Sequence, residues 1–459
     1  MISRTAGRKI SVSLLTVCFC GLGAAWAAST APDGTVSRPR PNVLILSIDT
    51  LRADRVSAYG YERNTTPNLD PWINGGVRFE TARTVEPLTS PALCSMLTSR
   101  HPHEHGSTRN GLRLRPGLDS LPRTLHSEGY RTAAFVGNWT LRDKLSGLGE
   151  HFEEYHEVLT RKRWFGMVRS EADAADITDR TVDWLETHAG ERNERPFFVW
   201  AHYVEPHAPY KLHKQFLPRL GIDPASKIRD SDRYDTEVAF VDESIGKVLA
   251  SLGRLGLGDN TIVVVVSDHG ESLGEHDYWG HGRNLLEPGL RIPMSITWPE
   301  RIRPREIDAP ALNVDLAPTL LSLMQLETPP AFRGLDWTAV LDGAPAPQDR
   351  VTRYEAHRGA VISRHESELA RRAGLIEVGL IRQGTKEIFH VKRDRRHVFD
   401  LVADPEETDD RGGDKGDPTG DLVGWMRAVY DGLTSFDDVQ PTPLDAESIE
   451  ALRSLGYVE

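Results

Sequence analysis

Apolar residues in this chain fall in short, near-continuous runs separated by longer stretches with helical spacing. Residues 42–50 read NVLILSIDT, and similar runs recur as TAAFVGN (132–138), FFVWAHYV (197–204), TIVVVVSDHG (261–270) and IPMSITW (292–298). A run that is apolar at successive positions predicts a strand buried on both faces. SLPRTLHSEG (120–129) and YDTEVAFVDESIGKVLASLGRLG (234–256) carry the period of amphipathic helices. Strands alternating with helices predict an α/β fold, a large and mostly parallel sheet flanked by helices.

The texture changes near residue 346. TRYEAHRG, GLIEVGLIRQG, KEIFHVKR and HVFDLV read as short strands joined by tight turns, a small antiparallel sheet. A charged Gly/Pro loop follows at 404–421, and a helical pattern at 444–457 closes the chain. The expected division is a signal peptide at 1–28, a linker at 29–41, a catalytic domain at 42–345 and a C-terminal antiparallel-sheet-plus-helix subdomain at 346–459.

The N-terminus sets the compartment. MISRTAGRK is basic, the next 17 residues are apolar and rich in small side chains, and Ala25–Ala27 (AWA) has the small-x-small form of a cleavage site. A cleaved signal predicts export to a periplasmic or extracellular space; a retained anchor is the alternative. Cys18 and Cys20 lie inside this segment, which leaves Cys94 alone and excludes a disulfide framework. The net charge of −12 argues against a nucleic-acid partner. No apolar stretch of 20 residues follows the N-terminal segment, so no stable membrane span is expected in the mature chain. No feature of the pattern specifies an oligomeric state.

Chemistry is expected where parallel strands end. Asp49 ends one strand, Asp268 and His269 end another, and His202, with His207 just beyond, ends a third. Two carboxylates and an imidazole form a three-ligand set for one divalent metal ion, with zinc or manganese suited better than calcium or magnesium. A helix cap at Asp49 and a satisfied turn at Asp268–His269 are the plain alternatives. His202, Glu205 and Asp242 are candidates for a second metal, without a spacing that demands one. Pro91 suits the first position of a helix continuing through ALCSMLTS, which places Thr89 just before its N-terminus. Exposed N–H groups and the helix dipole there favour an anion. Thr89 is then either a simple N-cap or a nucleophile; Ser90 has the same two readings. Cys94 falls mid-helix among apolar residues, where a buried core thiol is expected.

NVLILSIDTLRADRVSAYGYERNTTPNLDPWINGGVRFETA resembles the opening of the sulfatase-type family of the alkaline phosphatase superfamily. PALCSMLTSRHPHEHG is similar to that family's nucleophile helix, YVEPHAPY to its substrate-binding histidine segment, and the segment VVVVSDHGESLGEHDYWGHGRNLLEPGLRIPMSITWP to its second metal segment. HVFDLVADPEET and LRSLGYV resemble its C-terminal part. The likeness runs from about residue 41 to the end, in the family's order.

The family's nucleophile, a cysteine or serine oxidised to formylglycine, opens a Cys-x-Pro-x-Arg pattern nine positions before the threonine of an LTGR-like run. Here that run holds Thr98, so the matching position is Thr89, with Pro91 two further on and Leu93 in place of the arginine. Threonine cannot become the aldehyde whose hydrate expels sulfate. Threonine-nucleophile members act on phosphoesters, as phosphodiesterases or as transferases of phosphoethanolamine or glycerol phosphate. Asp49–Thr50 replaces paired aspartates, Asn138 and Thr140 stand where a lysine and a histidine help bind sulfate, and His281 replaces a lysine.

The resemblance implies Asp49, Asp268 and His269 as metal ligands, Thr89 as fourth ligand and nucleophile, and His207 and His281 at the transferred group or the leaving oxygen. Arg52, Asp54 and Arg291 match family positions and are expected to hold the fold, as are His101, His103, His105 and His276. The expectation is an exported, metal-dependent sulfatase-like hydrolase of a small-molecule, glycan or lipid ester. Phosphoryl is preferred over sulfuryl as the group attacked. A true sulfatase, a phosphoryl transferase and a non-catalytic binding protein of the same fold are the alternatives.

Overall fold

The computed structural model describes residues 40–163, 168–190, 195–359, 374–412 and 418–434. The expected signal peptide, most of the linker and the closing helical pattern at 444–457 lie outside them. Among the described residues, no helix is long and apolar enough to cross a membrane.

The main sheet has eight strands. In chain order they are β1 (Asn42–Ile48), β2 (Val77–Phe79), β3 (Arg131–Val136), β4 (Glu154–Glu157), β5 (Phe197–Tyr203), β6 (Thr261–Ser267), β7 (Met294–Thr297) and β8 (Arg305–Ile307). Across the sheet they run β8-β2-β7-β6-β1-β5-β3-β4. The block β6-β1-β5-β3-β4 is parallel, while β7 is antiparallel to both β6 and β2. The five apolar runs are therefore all strands of this sheet, one of them reversed.

Alternate residues of one strand enter two separate cores. Val43 and Ile45 of β1 join Ile262, Val264, Phe198 and Trp200 on one face. Leu44, Leu46 and Ile48 join Val263, Val265, Val199 and Tyr203 on the other. Both faces need cover, which is why these strands read as continuous apolar runs. The second face is covered by α3 (Ala174–Gly190) and α4 (Asp230–Arg254). The first is covered by α1 (Thr89–Thr98), α2 (Leu121–Ser127) and α5 (Leu316–Leu323).

β9 (Thr352–His357), β10 (Leu375–Arg382), β11 (Thr385–His390) and β12 (Arg395–Asp400) form the antiparallel sheet expected near the C-terminus. One face packs Tyr354, Ala356, Ile388 and Phe399 against Val85, Leu285, Leu290 and Leu312. The other packs Val378 and Phe389 against α6 (Gly420–Thr434), a helix the sequence pattern did not reveal.

Candidate active site

Register builds the site. In the parallel pairing of β1 with its neighbours, Ile48 lies opposite Ser267 and Ser47 opposite His202. The residues following Ile48 and Ser267 are Asp49 and Asp268, so both carboxylates emerge level at one end of the sheet, with His202 one strand away. Asp49, His202 and Asp268 bring ligand atoms within 4.8 Å of one another, all buried. Asp49 Oδ1, His202 Nε2 and Asp268 Oδ2 are buried and make no hydrogen bond.

His269 completes the cluster. Its Nδ1 lies 2.8 Å from the Gly270 carbonyl, which can only accept, so Nδ1 carries the proton. Burial pushes its pKa down to about 4, so the ring is neutral at ordinary pH and Nε2 presents a lone pair. That Nε2 sits 3.5 Å from Asp268 Oδ2, 3.8 Å from Asp49 Oδ1 and 3.3 Å from Thr89 Oγ1. His202 is likewise held neutral, burial pushing it to about 4, and its Nδ1 is 2.9 Å from Ser47 Oγ. Ser47 Oγ in turn accepts from Trp200 Nε1 at 2.8 Å.

Two carboxylates and two neutral imidazoles converge their electron-rich oxygen and nitrogen atoms here. Burial, and then the charge of Asp268, push the Asp49 carboxyl well above its usual range. A divalent cation would reverse that penalty and give the orphaned atoms a partner. The donor set, carboxylate plus neutral imidazole, fits zinc or manganese. The residues therefore fit the metal that the sequence implied, with His202 added to them. Asp242, a candidate for a second metal, instead accepts hydrogen bonds from the backbone N–H groups of Asn68 and Leu69.

The capping alternative for Asp49 falls. The first helical turn after it starts at Ala53, and its Oδ2 accepts from Asn138 Nδ2 at 2.7 Å. Asn138 Oδ1 accepts from the Thr140 N–H and hydroxyl, both at 2.9 Å. Asn138 thus faces a ligand carboxylate from the position where the family resemblance places a sulfate-binding lysine.

Thr89 is the first residue of α1 rather than a residue ahead of it, and the cap position belongs to Leu88, whose backbone is extended. Pro91 moves to the third position. This changes the anion site expected at the helix start. Pro91 has no N–H, and the Ser90 N–H donates to Asn110 Oδ1 at 3.0 Å. Ser90 Oγ donates to the Thr140 carbonyl, which ties α1 to the Asn138 segment. Cys94 is fully buried in the core, with its thiol pushed up to about 12 by burial, so it is no nucleophile.

Two more histidines close the site. The His281 ring centroid is 4.4 Å from that of His269 and 5.1 Å from that of His207. His281 Nδ1 bonds Glu271 Oε1 at 2.8 Å. Burial alone would raise the Glu271 carboxyl; His281 and His207 outweigh it and hold it below its ordinary value. His207 Nδ1 donates to the Ala208 carbonyl at 2.7 Å. In both rings the engaged Nδ1 fixes the tautomer and the orientation of Nε2.

The other expected residues fall outside this cluster. Arg52 forks onto Asp54 and reaches Glu275 and the Glu271 carbonyl, bracing the segment after His269. Arg291 donates to the Glu80 carbonyl. His101 and His103 pack edge-on against Trp425 of α6, and His105 bonds Ser95 Oγ. His276 is exposed and makes no part of the site.

Sequence reasoning placed His202 among the strand-end polar residues and as a second-metal candidate rather than in one cluster with Asp49 and Asp268, and it did not identify Glu271 or Asn110. His202 had a signal, being polar at the carboxyl end of a buried strand. Glu271 follows His269 by two residues and bonds His281 ten residues on, and Asn110 bonds the Ser90 backbone twenty residues back, pairings that no motif read in the sequence marks.

Residues 41–326 match the family model described as Sulfatase, and residues 274–417 match that of the C-terminal part of N-sulphoglucosamine sulphohydrolase. The chain belongs to the sulfatase family, within the alkaline phosphatase-like superfamily, and is a sulfatase-like ester hydrolase. It is 28% identical over 358 residues to the uncharacterized sulfatase YidJ of Escherichia coli, covering 66% of this chain and 71% of that one. It is 25% identical over 497 residues to an N-acetylglucosamine-6-O-sulfatase of Bacteroides thetaiotaomicron, covering 84% and 85%. Its fold is similar to that of a phosphonate monoester hydrolase of Agrobacterium radiobacter, at a TM-score of 0.66 and 18% identity, covering 88% of this chain and 97% of that chain.

Proposed function

We propose that the chain is an exported hydrolase that transfers the phosphoryl group of an ester to Thr89 and then to water, and that the ester's alcohol is a sugar hydroxyl. One observation carries the reading. Thr89 Oγ1, at the position of the family's oxidised nucleophile, lies 3.3 Å from His269 Nε2, which is itself 3.5 Å from the Asp268 carboxylate and 3.8 Å from that of Asp49. Asp49, Asp268 and His269 would hold a divalent ion, with His202 beside them. Such an ion supplies Lewis acidity, lowering the pKa of an adjacent hydroxyl and neutralising charge on the group transferred.

Thr89 Oγ, its proton released to solvent as the hydroxyl pKa falls, would form the new bond to phosphorus as the bond to the leaving alcohol breaks. The departing oxygen takes a proton from His281 or His207, whose rings are oriented through Nδ1 and turned toward one another. Water then cleaves the threonine ester and frees Thr89. Threonine lacks the aldehyde by which sulfate leaves a formylglycine, whereas a phosphothreonine ester yields to water. Asn138 and Thr140 in place of a lysine and a histidine, and His281 in place of a lysine, subtract cationic donors for sulfate. Among buried donors beside the nucleophile, Asn110 Nδ2 makes no hydrogen bond and is available to the transferred group.

The sugar alcohol follows the relative named for N-acetylglucosamine 6-O-sulfate esters. That likeness also favours a second reading, a sulfate esterase working without formylglycine. On either reading residues 42–345 carry the chemistry and 346–459 support it. A parallel panel of aryl phosphate, bis-aryl phosphodiester, phosphonate monoester and aryl sulfate, with zinc or manganese, separates the two. Phosphoester turnover lost in Thr89→Ala supports the first reading. Sulfate turnover that survives Thr89→Ala overturns it.

A further inference from the structure

Trp279 lies two residues before His281 with its indole in water. Among the described residues it and Val402 are the large hydrophobic side chains left exposed, and Trp279 is 57% accessible. An indole in water forfeits most of what its burial would contribute, and such rings mark recognition surfaces.

The ring is mounted rather than loose. Trp279 pairs with Leu273 and Gly280 with Ser272 in a short antiparallel ladder. The Gly274 N–H donates to the Tyr278 carbonyl at 3.1 Å, closing the hairpin. The indole rests on Gly274. A Cβ built there would come 2.9 Å from Trp279 Cζ2 and 3.2 Å from Cε2, and Gly274 has φ +113°. Both the backbone angle and the ring therefore require glycine. The missing side chain leaves a seat for the indole.

The hairpin runs from this seat into the site. Gly280 follows Trp279, and His281 follows Gly280. The Tyr278 hydroxyl donates to the His281 carbonyl at 2.9 Å. Gly282 packs on Leu88, with a built Cβ 3.1 Å from Leu88 Cδ1, and Leu88 precedes Thr89. Two residues of backbone span at most about 7 Å, so the Trp279 backbone lies within that distance of His281, the histidine the mechanism places at the leaving oxygen. Asp277 and His276, both exposed, precede Trp279 in the turn of the same hairpin. A carboxylate and an imidazole can bond hydroxyl groups, and the carboxylate disfavours a second anion on the alcohol.

We propose that Trp279 is the stacking platform for a neutral pyranose ring in the leaving alcohol. The proposal rests on the sugar-ester reading above and assigns the residue that selects for it. A pyranose has an apolar C–H face that matches an indole, and peripheral hydroxyls that match the carboxylate and imidazole of the turn.

The test pairs two esters of the same transferred group, one on a pyranose and one on methanol, with Trp279→Ala and Trp279→Phe. The pair is made as phosphates and again as sulfates. The expected result is a rise of about tenfold in KM for the pyranosyl ester in Trp279→Ala, with kcat and the methyl ester unchanged. Trp279→Phe restores most of the loss. Equal losses on both esters, or no loss on either, overturn the proposal. Which pair is turned over reports on the phosphoryl reading separately, since the Trp279 comparison is made within a pair. Calorimetric titration with a pyranose 6-phosphate, in Thr89→Ala with and without Trp279→Ala, gives a readout independent of turnover. Binding that is weaker in Trp279→Ala supports the platform, and equal binding in both proteins overturns it.

Discussion

The Asn138 side-chain amide donates to Oδ2 of Asp49 at 2.7 Å, deep in the site and out of water. The bond favours the ionised carboxylate and fixes which oxygen, Oδ1, faces Asp268 and His269. Its acceptor side is locked by Thr140, so the amide cannot flip without losing two hydrogen bonds. Asn138 is thus a positioning residue for a metal ligand. Asn138→Ala is expected to weaken metal affinity by about 10- to 100-fold, read by competition with a chromogenic chelator. Unchanged affinity would remove it from that role.

Metal removal has a stability consequence. Without a cation, Asp49 and Asp268 face one another in a buried site beside two neutral imidazoles. An ion held at about 100 times its dissociation constant adds about 2.7 kcal/mol to folding. Dialysis against a chelator is expected to lower Tm by several degrees, with recovery on adding zinc or manganese. His202→Ala is expected to shrink that recovery; a full recovery would place His202 outside the metal site.

Much of this arrangement was legible because it rests on local pattern. Continuous apolar runs identify strands buried on both faces, and strand ends locate Asp49, Asp268 and His269. The structure brings those residues together with Thr89, His207 and His281. What pattern could not supply is register between strands distant in sequence. His202 lies next to Asp49 because Ser47 pairs with it across 155 positions. The start of α1 was misplaced by two residues, since proline is compatible with any position in a first turn. Leu93 shows a departure absorbed by packing. It is fully buried in the core cluster beneath α1, where an arginine would have no partner among apolar neighbours.

Acid stability follows from the join between the main sheet and the C-terminal sheet. Glu355 of β9 is fully buried; burial would raise its carboxyl, but His103 and His357 outweigh it and hold it at about 2. A carboxyl lowered in the folded state contributes stability that is present above its unfolded value and lost as pH falls through the folded one. That window runs from about 4.5 down to about 2. Nearby His101 is held at about 4 by burial, so it loses stability in the same direction as pH falls from its usual 6.5. Tm is expected to decline below pH 6.5, more steeply below pH 4.5. Glu355→Gln should flatten the lower segment. A Tm profile for Glu355→Gln parallel to that of the parent would exclude Glu355 as a source.

The central claim is that Thr89 carries the transferred group. Its most direct test is rapid acid quench of the zinc- or manganese-loaded protein during turnover of an aryl phosphoester, followed by peptide mass spectrometry. The account predicts one phosphoryl group on the peptide containing Thr89, no label in Thr89→Ala, and a rate loss of at least about 10²-fold in that variant. Turnover that continues in Thr89→Ala, with the label on another residue or on none, would contradict it.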